Sequence, residues 1–204
     1  MTPHQSLVRF VRHYRNQFRP SRLRERDRYR RMPDLKQAIH HAALARQANG
    51  KCHPHQRRVG YARLQVFERS LQRIKRAIEA CGDFDELHRT IARRRTDGIG
   101  DLTVYDTAVR LGAYLGLEPE HVYLHAGTLA GARTLELPTA TKRLDPSLLP
   151  RALTEVSPDE AEDFLCIYKS AIAGIENSVS RGCDGGRRAT NTRAGRGRPG
   201  TRCA

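Results

Sequence analysis

Residues 96–116 read TDGIGDLTVYDTAVRLGAYLG and place two closely spaced glycines, Gly98 and Gly100, between two helix signals. The segment DFDE, which begins at Asp83, matches a capping box, in which an acceptor side chain and a Glu three positions later stabilise the start of a helix. We expect that first helix to run to about Arg95. The two glycines then mark a turn into a second helix.

The second helix is predicted from a repeated capping signal, Thr103 followed by Asp106, and from apolar residues at intervals of three or four. Gly116 is its predicted end. Because glycines can take backbone angles closed to other residues, the chain can reverse tightly while Ile99 fills the gap between the helices. Free N–H groups at the start of the second helix, with the positive end of its dipole, would suit a phosphate and read no base sequence.

The six residues GIGDLT resemble the helix-hairpin-helix family of DNA-binding proteins. The family pattern has an apolar residue between two glycines, two variable positions and then Thr or Ser, usually followed by Ala. This chain has Val104 at that last position and a charged residue at the first variable one. The alternative is a turn between packed helices that touches no ligand. The resemblance implies that the DNA backbone is held by Gly98, Ile99, Gly100, Asp101, Leu102 and Thr103.

A narrower resemblance, over about residues 84–137, is to the helix-hairpin-helix DNA glycosylases. Where those enzymes have a catalytic Asp, this chain reads VYLHAG from Val122, which contains no carboxylate, and the Lys of the strand-cleaving members is also missing. The best remaining catalytic candidates are His125, whose ordinary pKa lies near neutrality, and Asp106. We therefore favour a binding protein over an enzyme. The segments LTVYDTA, from Leu102, and VYLHAGT, from Val122, also resemble a group of small uncharacterised bacterial proteins.

The net charge of +15 is unevenly distributed along the 204 residues. Residues 1–97 carry 24 Lys and Arg against 9 Asp and Glu, residues 98–177 carry 6 against 12, and residues 178–204 carry 7 against 1. A strongly basic half and a basic tail predict a polyanionic partner, with double-stranded DNA first and RNA as a possibility. An anionic membrane surface fits less well, since Trp is absent. No apolar run is long enough for a membrane span or a signal peptide, so we expect a cytoplasmic protein.

The basic half contains two segments with functional alternatives. The Arg-rich run Arg19 to Arg31 is expected to be either a solvated helix or a flexible arm that neutralises phosphates. The loop KCHPHQRR, residues 51–58, combines basic and histidine residues; its spacing matches no established zinc pattern, so we expect no metal or cofactor there. Its arginines, Arg57 and Arg58, are predicted to contact nucleic acid.

Other apolar patterns complete the predicted fold. Asp34 to Ala48 and Tyr61 to Cys81 are each expected to form one helix, and small residues after Ala126 would let a helix approach its neighbour closely. We predict one all-α domain of about eight helices over residues 1–177, with a basic half at 1–82 and the hairpin and C-terminal helices at 83–177. The Gly- and Arg-rich residues 178–204 are predicted to be a disordered tail.

Within that tail, RGRP at Arg196 to Pro199 resembles the centre of AT-hook segments, whose arginines lie in the minor groove. The predicted function is sequence-nonspecific binding of double-stranded DNA. A divergent glycosylase- or lyase-like enzyme and an RNA-binding or scaffold protein are the alternatives. The predicted contacts outside the hairpin are Arg57, Arg58, Arg94, Arg95, Arg196 and Arg198.

Overall fold

The computed structural model describes residues 2–183 and, within them, contains ten α-helices and one two-stranded antiparallel sheet. The helices are α1 (Pro3–Gln17), α2 (Arg19–Arg30), α3 (Leu35–Ala43), α4 (Pro54–Arg57), α5 (Tyr61–Gln72), α6 (Lys75–Glu79), α7 (Phe84–Ala92), α8 (Asp101–Leu115), α9 (Ala126–Thr134) and α10 (Pro158–Cys183). The strands are β1 (Val122–Tyr123) and β2 (Arg143–Leu144). The all-α prediction is confirmed. None of the helices in this part of the chain is both long and apolar enough to cross a bilayer.

The structure has more helices than expected because one predicted helix is divided and one loop contains a helical turn. The predicted helix Tyr61 to Cys81 breaks at Ile74, whose φ of −109° and ψ of 21° lie outside the α region. The basic loop contributes the single-turn helix α4. In addition, α3 ends five residues before the predicted Ala48, because Ala45 turns into the left-handed region with φ of 51°.

The predicted boundary between domain and tail at residue 177 falls inside a helix. Helix α10 continues to Cys183. The rest of the predicted tail, with Arg196 and Arg198, lies outside the described residues.

The first of two hydrophobic cores lies between α3, α5, α7 and α8. Ile99 from the hairpin belongs to it and is only 4% exposed, so this side chain fills the gap between α7 and α8 as expected. Tyr29, near the end of α2, is fully buried in the same core. The hairpin is therefore anchored by apolar packing on one side.

The second core lies between α1, α9 and α10. Successive residues of β1 and its extension point alternately to the two cores, since Tyr123 packs in the first core and Val122 and Leu124 in the second. Helices α9 and α10 pack closely: a Cβ at Gly131 would lie 2.3 Å from the carbonyl oxygen of Leu165. Both cores draw on distant parts of the sequence.

Ion pairs join α2 to the acidic start of α10. Arg19 Nε lies 2.6 Å from Glu160 Oε1, and Arg22 Nη1 lies 3.1 Å from Asp163 Oδ1. Asp159 Oδ2 lies 3.4 Å from Arg22 Nη2 and 3.6 Å from Arg26 Nη1. The Arg-rich run is thus a packed helix, and part of its charge is neutralised within the chain.

The side chain of Asp159, like that of Glu160, is only 3% exposed. Burial alone would raise its pKa, but Arg22, Ser157 and Arg26 together hold the pKa below its usual value. Asp159 therefore stays ionised at neutral pH. Its charge also complements the positive end of the α10 dipole.

We expect Asp159→Asn to lower the free energy of unfolding by about 2 kcal/mol at pH 7, because the substitution removes a buried carboxylate that contacts two partly buried arginines, Arg22 and Arg26. The folded-state pKa of Asp159 is lowered, so this contribution is present above the unfolded pKa and is lost as the pH falls through the folded value. Urea unfolding from pH 7 down to pH 3 measures both effects.

The matched control is Glu155→Gln, which removes the same charge from an exposed pair with Arg15, whose side chains are 72% and 41% exposed. Exposed pairs contribute little, so we expect a change below about 1 kcal/mol. Equal losses in the two variants would show that the α2–α10 cluster is no stronger than a surface ion pair.

Candidate nucleic-acid interface

Helix α7 leads into the hairpin and begins as predicted at the cap Asp83. The carboxylate of Asp83 accepts a hydrogen bond from Glu86 N–H at 2.7 Å, and the Glu86 carboxylate accepts one from Gly82 N–H at 2.9 Å. The helix ends at Ala92, three residues before the predicted Arg95. Residues 93–100 form the connection to α8.

The two hairpin glycines have different structural roles. Gly98 has a φ of 75°, which favours glycine, and a Cβ there would lie 2.5 Å from Cδ of Arg63 on α5. Gly100 has an ordinary φ of −88°, and a Cβ there would meet nothing within 4 Å. Gly98 is therefore required by the turn, whereas position 100 has room for a side chain.

Helix α8 begins at Asp101, so the prediction that Thr103 caps it is wrong. Gly100 occupies the N-cap position, and its carbonyl accepts the first helical hydrogen bond from Val104 N–H at 3.1 Å. Thr103 lies inside the first turn and is 6% exposed. Because Gly100 has no side chain, no side-chain acceptor caps the first turn of α8.

Two cations neutralise the charge that Asp101 brings to this first turn. Asp101 Oδ2 lies 2.9 Å from Lys142 Nζ, and its Oδ1 lies 2.5 Å from Arg95 Nη1. The hydrogen bond from Lys142 is the main reason why the pKa of Asp101 lies below its usual value. The carboxylate therefore holds two basic side chains beside the start of α8.

Further exposed cations from several elements surround the hairpin. Arg63 comes from α5, Arg89 from α7, and Lys142 and Arg143 from the segment of β2. With Arg95 these make five basic residues, of which the sequence analysis predicted only Arg95. Arg94, which it also predicted, is exposed but lies in a separate hollow with Ile74 and Ala77. Arg93 to Arg95 form a visible run, but the pairing of β1 with β2, which no local pattern predicts, brings in Lys142 and Arg143.

Two further predicted contacts, Arg57 and Arg58, lie on a different element. Arg57 and Arg58 are exposed at the end of α4, where the neighbouring Gln56 is buried and contacts Asp106 of α8. No hydrogen bond or ion pair among the described residues joins these two arginines to the hairpin.

A cavity of about 340 Å³, which we call the hairpin cavity, lies beside the hairpin between α7, α8 and the small sheet. Arg95 and Asp101 are shared between its wall and the hairpin. Its lining also includes Asp85, His88, Arg89, Ala92, Val104, Tyr105, Tyr123, Leu124, His125, Lys142 and Arg143.

The two catalytic candidates lie on different cavities. His125 lines the hairpin cavity, is 9% exposed, and places Nε2 at 2.7 Å from Oε1 of Glu162. The hydroxyl of Thr128 donates to the same Glu162 oxygen at 2.7 Å. Burial alone would lower the pKa of His125, but contact with the Glu162 carboxylate raises it above the ordinary value.

Asp106 lines a second cavity of about 480 Å³ between α2, α4, α8 and α10. There Glu25 Oε1 lies 2.7 Å from His53 Nε2 and accepts a hydrogen bond from Arg110 Nε at 3.2 Å. Burial would raise the pKa of Glu25, but His53 and Arg110 lower it to about 2. His53 is thus engaged with a carboxylate, and no group of three or more potential metal ligands occurs among the side chains described, those of residues 2–174.

No protein-family model, curated protein or solved structure matches this chain. Its function is therefore inferred from the hairpin, the cations around it and the adjoining cavity.

The His125–Glu162 pair predicts a pH-dependent contribution to stability. Because the folded-state pKa of His125 is raised, this contribution is complete below the ordinary histidine pKa and is lost as the pH rises through the folded value. We expect the difference in unfolding free energy between the wild type and Glu162→Gln to shrink between pH 6 and pH 9. Urea unfolding at several pH values measures this difference.

The control is Glu155→Gln, whose partner Arg15 keeps its charge in this pH range, so its difference from the wild type should be constant. A constant difference for Glu162→Gln as well would contradict a raised pKa of His125.

Proposed function

We propose that this protein binds double-stranded DNA without sequence preference and holds a backbone phosphate at the hairpin. The observation that carries the proposal is the start of α8: a first turn without a side-chain cap, opened by the exposed Gly100 and flanked by Arg95 and Lys142. Helix N-termini bind anions through N–H groups and the helix dipole.

The expected lack of sequence preference follows from the chemistry of these donors. Backbone N–H groups and arginines that meet phosphate oxygens contact a part of DNA that is the same in every sequence. Gly100 has no side chain with which to reach a base edge in a groove. The hairpin therefore favours a binder of the DNA backbone over a reader of bases.

The salt dependence should reflect the cations around the hairpin and not the net charge of +15. Arg19, Arg22 and Arg26 are paired with carboxylates of α10 and are therefore poorly available to phosphate. Five basic residues lie around the hairpin and its adjoining cavity. Arg95 and Lys142 share Asp101 and Arg143 pairs with Asp85, but their side chains are 49%, 83% and 48% exposed and can still reach a phosphate. We therefore expect the logarithm of the binding constant to fall against the logarithm of salt concentration with a slope of about −3 to −5.

Gly100→Asp is the sharpest test of the phosphate site. A Cβ fits at this position, and Asp is a favoured N-cap residue, so the folded state should keep or slightly gain stability. The new carboxylate would compete with phosphate for the first-turn N–H groups and repel it. We expect duplex affinity to fall at least tenfold, as measured by fluorescence anisotropy.

The matched control is Thr2→Asp, which adds the same charge at the N-cap of α1, a helix that packs on α2 and α10. Its affinity for duplex DNA should change less than twofold. The series should include single-stranded DNA and RNA of the same sequence. Unchanged duplex binding by a folded Gly100→Asp protein, or preferential binding of RNA, would contradict the proposal.

A further inference from the structure

The hairpin cavity is bordered by more positive than negative charge. Its lining contains four permanent cations, Arg89, Arg95, Lys142 and Arg143, and two carboxylates, Asp85 and Asp101. The excess is two positive charges, since His125 is balanced by Glu162 and burial lowers the pKa of His88 below its usual value.

Both carboxylates of the cavity are already engaged. Asp101 contacts Arg95 and Lys142, and Asp85 accepts hydrogen bonds from Arg143 and from the Tyr123 hydroxyl. Arg89 is exposed and has no ion pair among the described residues. Its guanidinium group is thus free to bind an anion at the rim of the cavity.

The size of the charge excess distinguishes between two kinds of phosphate. A phosphodiester within a DNA strand carries one negative charge, whereas a terminal phosphate carries about 1.5 to 2 at neutral pH. The charge of a terminal phosphate matches the excess of two positive charges more closely than that of a phosphodiester does. Arginine also binds the several oxygens of such a group in bidentate fashion.

The inner wall of the cavity suits the rest of a nucleotide. Tyr105, Tyr123 and His88 contribute aromatic rings, with 4.7 Å between the ring centroids of His88 and Tyr123 and 5.2 Å between those of Tyr105 and Tyr123. Ala92, Val104 and Leu124 add apolar surface. A volume of about 340 Å³ is near the lower limit of small-molecule sites and suits one nucleotide, not a duplex.

We propose that the hairpin cavity binds a nucleotide that carries a terminal phosphate, and that this nucleotide is the end of a DNA strand. The proposal rests on the proposed function, because the hairpin holds the adjoining backbone while the cavity receives the end. The shared wall at Arg95 and Asp101 makes the two sites contiguous.

The test compares one short duplex with 5′-phosphate, 3′-phosphate or hydroxyl ends, and the same duplex closed by hairpin loops at both ends. We expect the full-length protein to bind one of the phosphorylated duplexes about tenfold more tightly than the hydroxyl-ended and closed forms, since a hydrogen-bonded ionic contact is gained. Arg89→Gln should reduce this preference, taken as the ratio of the affinities for the phosphorylated and the hydroxyl-ended duplex, below twofold, even if both affinities fall together.

Arg94→Gln is the matched control, because Arg94 is exposed close to Arg89 in sequence but does not line the cavity. It should keep the preference for phosphorylated ends. Absence of any preference in the wild type, or a preference that survives Arg89→Gln in full, would overturn the proposal.

Mononucleotide binding separates this inference from the proposed function. Deoxyadenosine monophosphate, but not deoxyadenosine, should bind to the wild type and to Gly100→Asp, and binding should weaken about tenfold in Arg89→Gln, as measured by isothermal titration calorimetry. Mononucleotide binding without any duplex binding would refute the proposed function. It would also refute the assignment of the bound nucleotide to a DNA end, but would support the cavity as a nucleotide site. Failure of both the nucleotide and the phosphorylated duplexes to bind would refute the proposal that the cavity binds a terminal phosphate.

Discussion

The ion pairs between α2 and the start of α10 are the constraint on which the arrangement of the two cores depends. Asp159 and Glu160 are almost completely removed from solvent, and burying such charges is unfavourable unless each one meets a partner. Arg19 and Arg22 supply those partners from the second helix of the chain. Helix α2 also places Tyr29 in the first core, so the same helix connects both cores.

Because of this internal pairing, the net charge overstates the positive charge that is available to a ligand. A count over the sequence treats the arginines of α2 as a cationic surface, although several of them face carboxylates of the same chain. The cations that remain exposed beside the hairpin come from α5, α7, the connection between α7 and α8, and the segment of β2. The case for nucleic-acid binding therefore rests on the position of a few basic side chains around a helix N-terminus more than on an overall charge of +15.

Local features of the fold were predictable because their causes lie within a few residues. The cap Asp83, the left-handed Gly98 and the end of α8 at Gly116 follow from capping and from the backbone freedom of glycine. The close packing of α9 on α10 follows from small side chains. Where a neighbouring segment decided the outcome, the predictions failed. Ile99 is buried in the first core, and α8 begins directly after it at Asp101 with Gly100 as its N-cap, ahead of the better capping residue Thr103.

The sequence by itself determined the helical class, the glycine hairpin and the basic composition, since periodicity, capping and charge are properties of short segments or of simple sums. It did not determine the hairpin cavity or the set of exposed cations around the hairpin. Those depend on pairings such as Arg22 with Asp159, 137 residues apart, and Tyr123 with Arg143 across the small sheet. Only the tertiary structure decided them, because a charge is neutralised by whatever lies next to it in space.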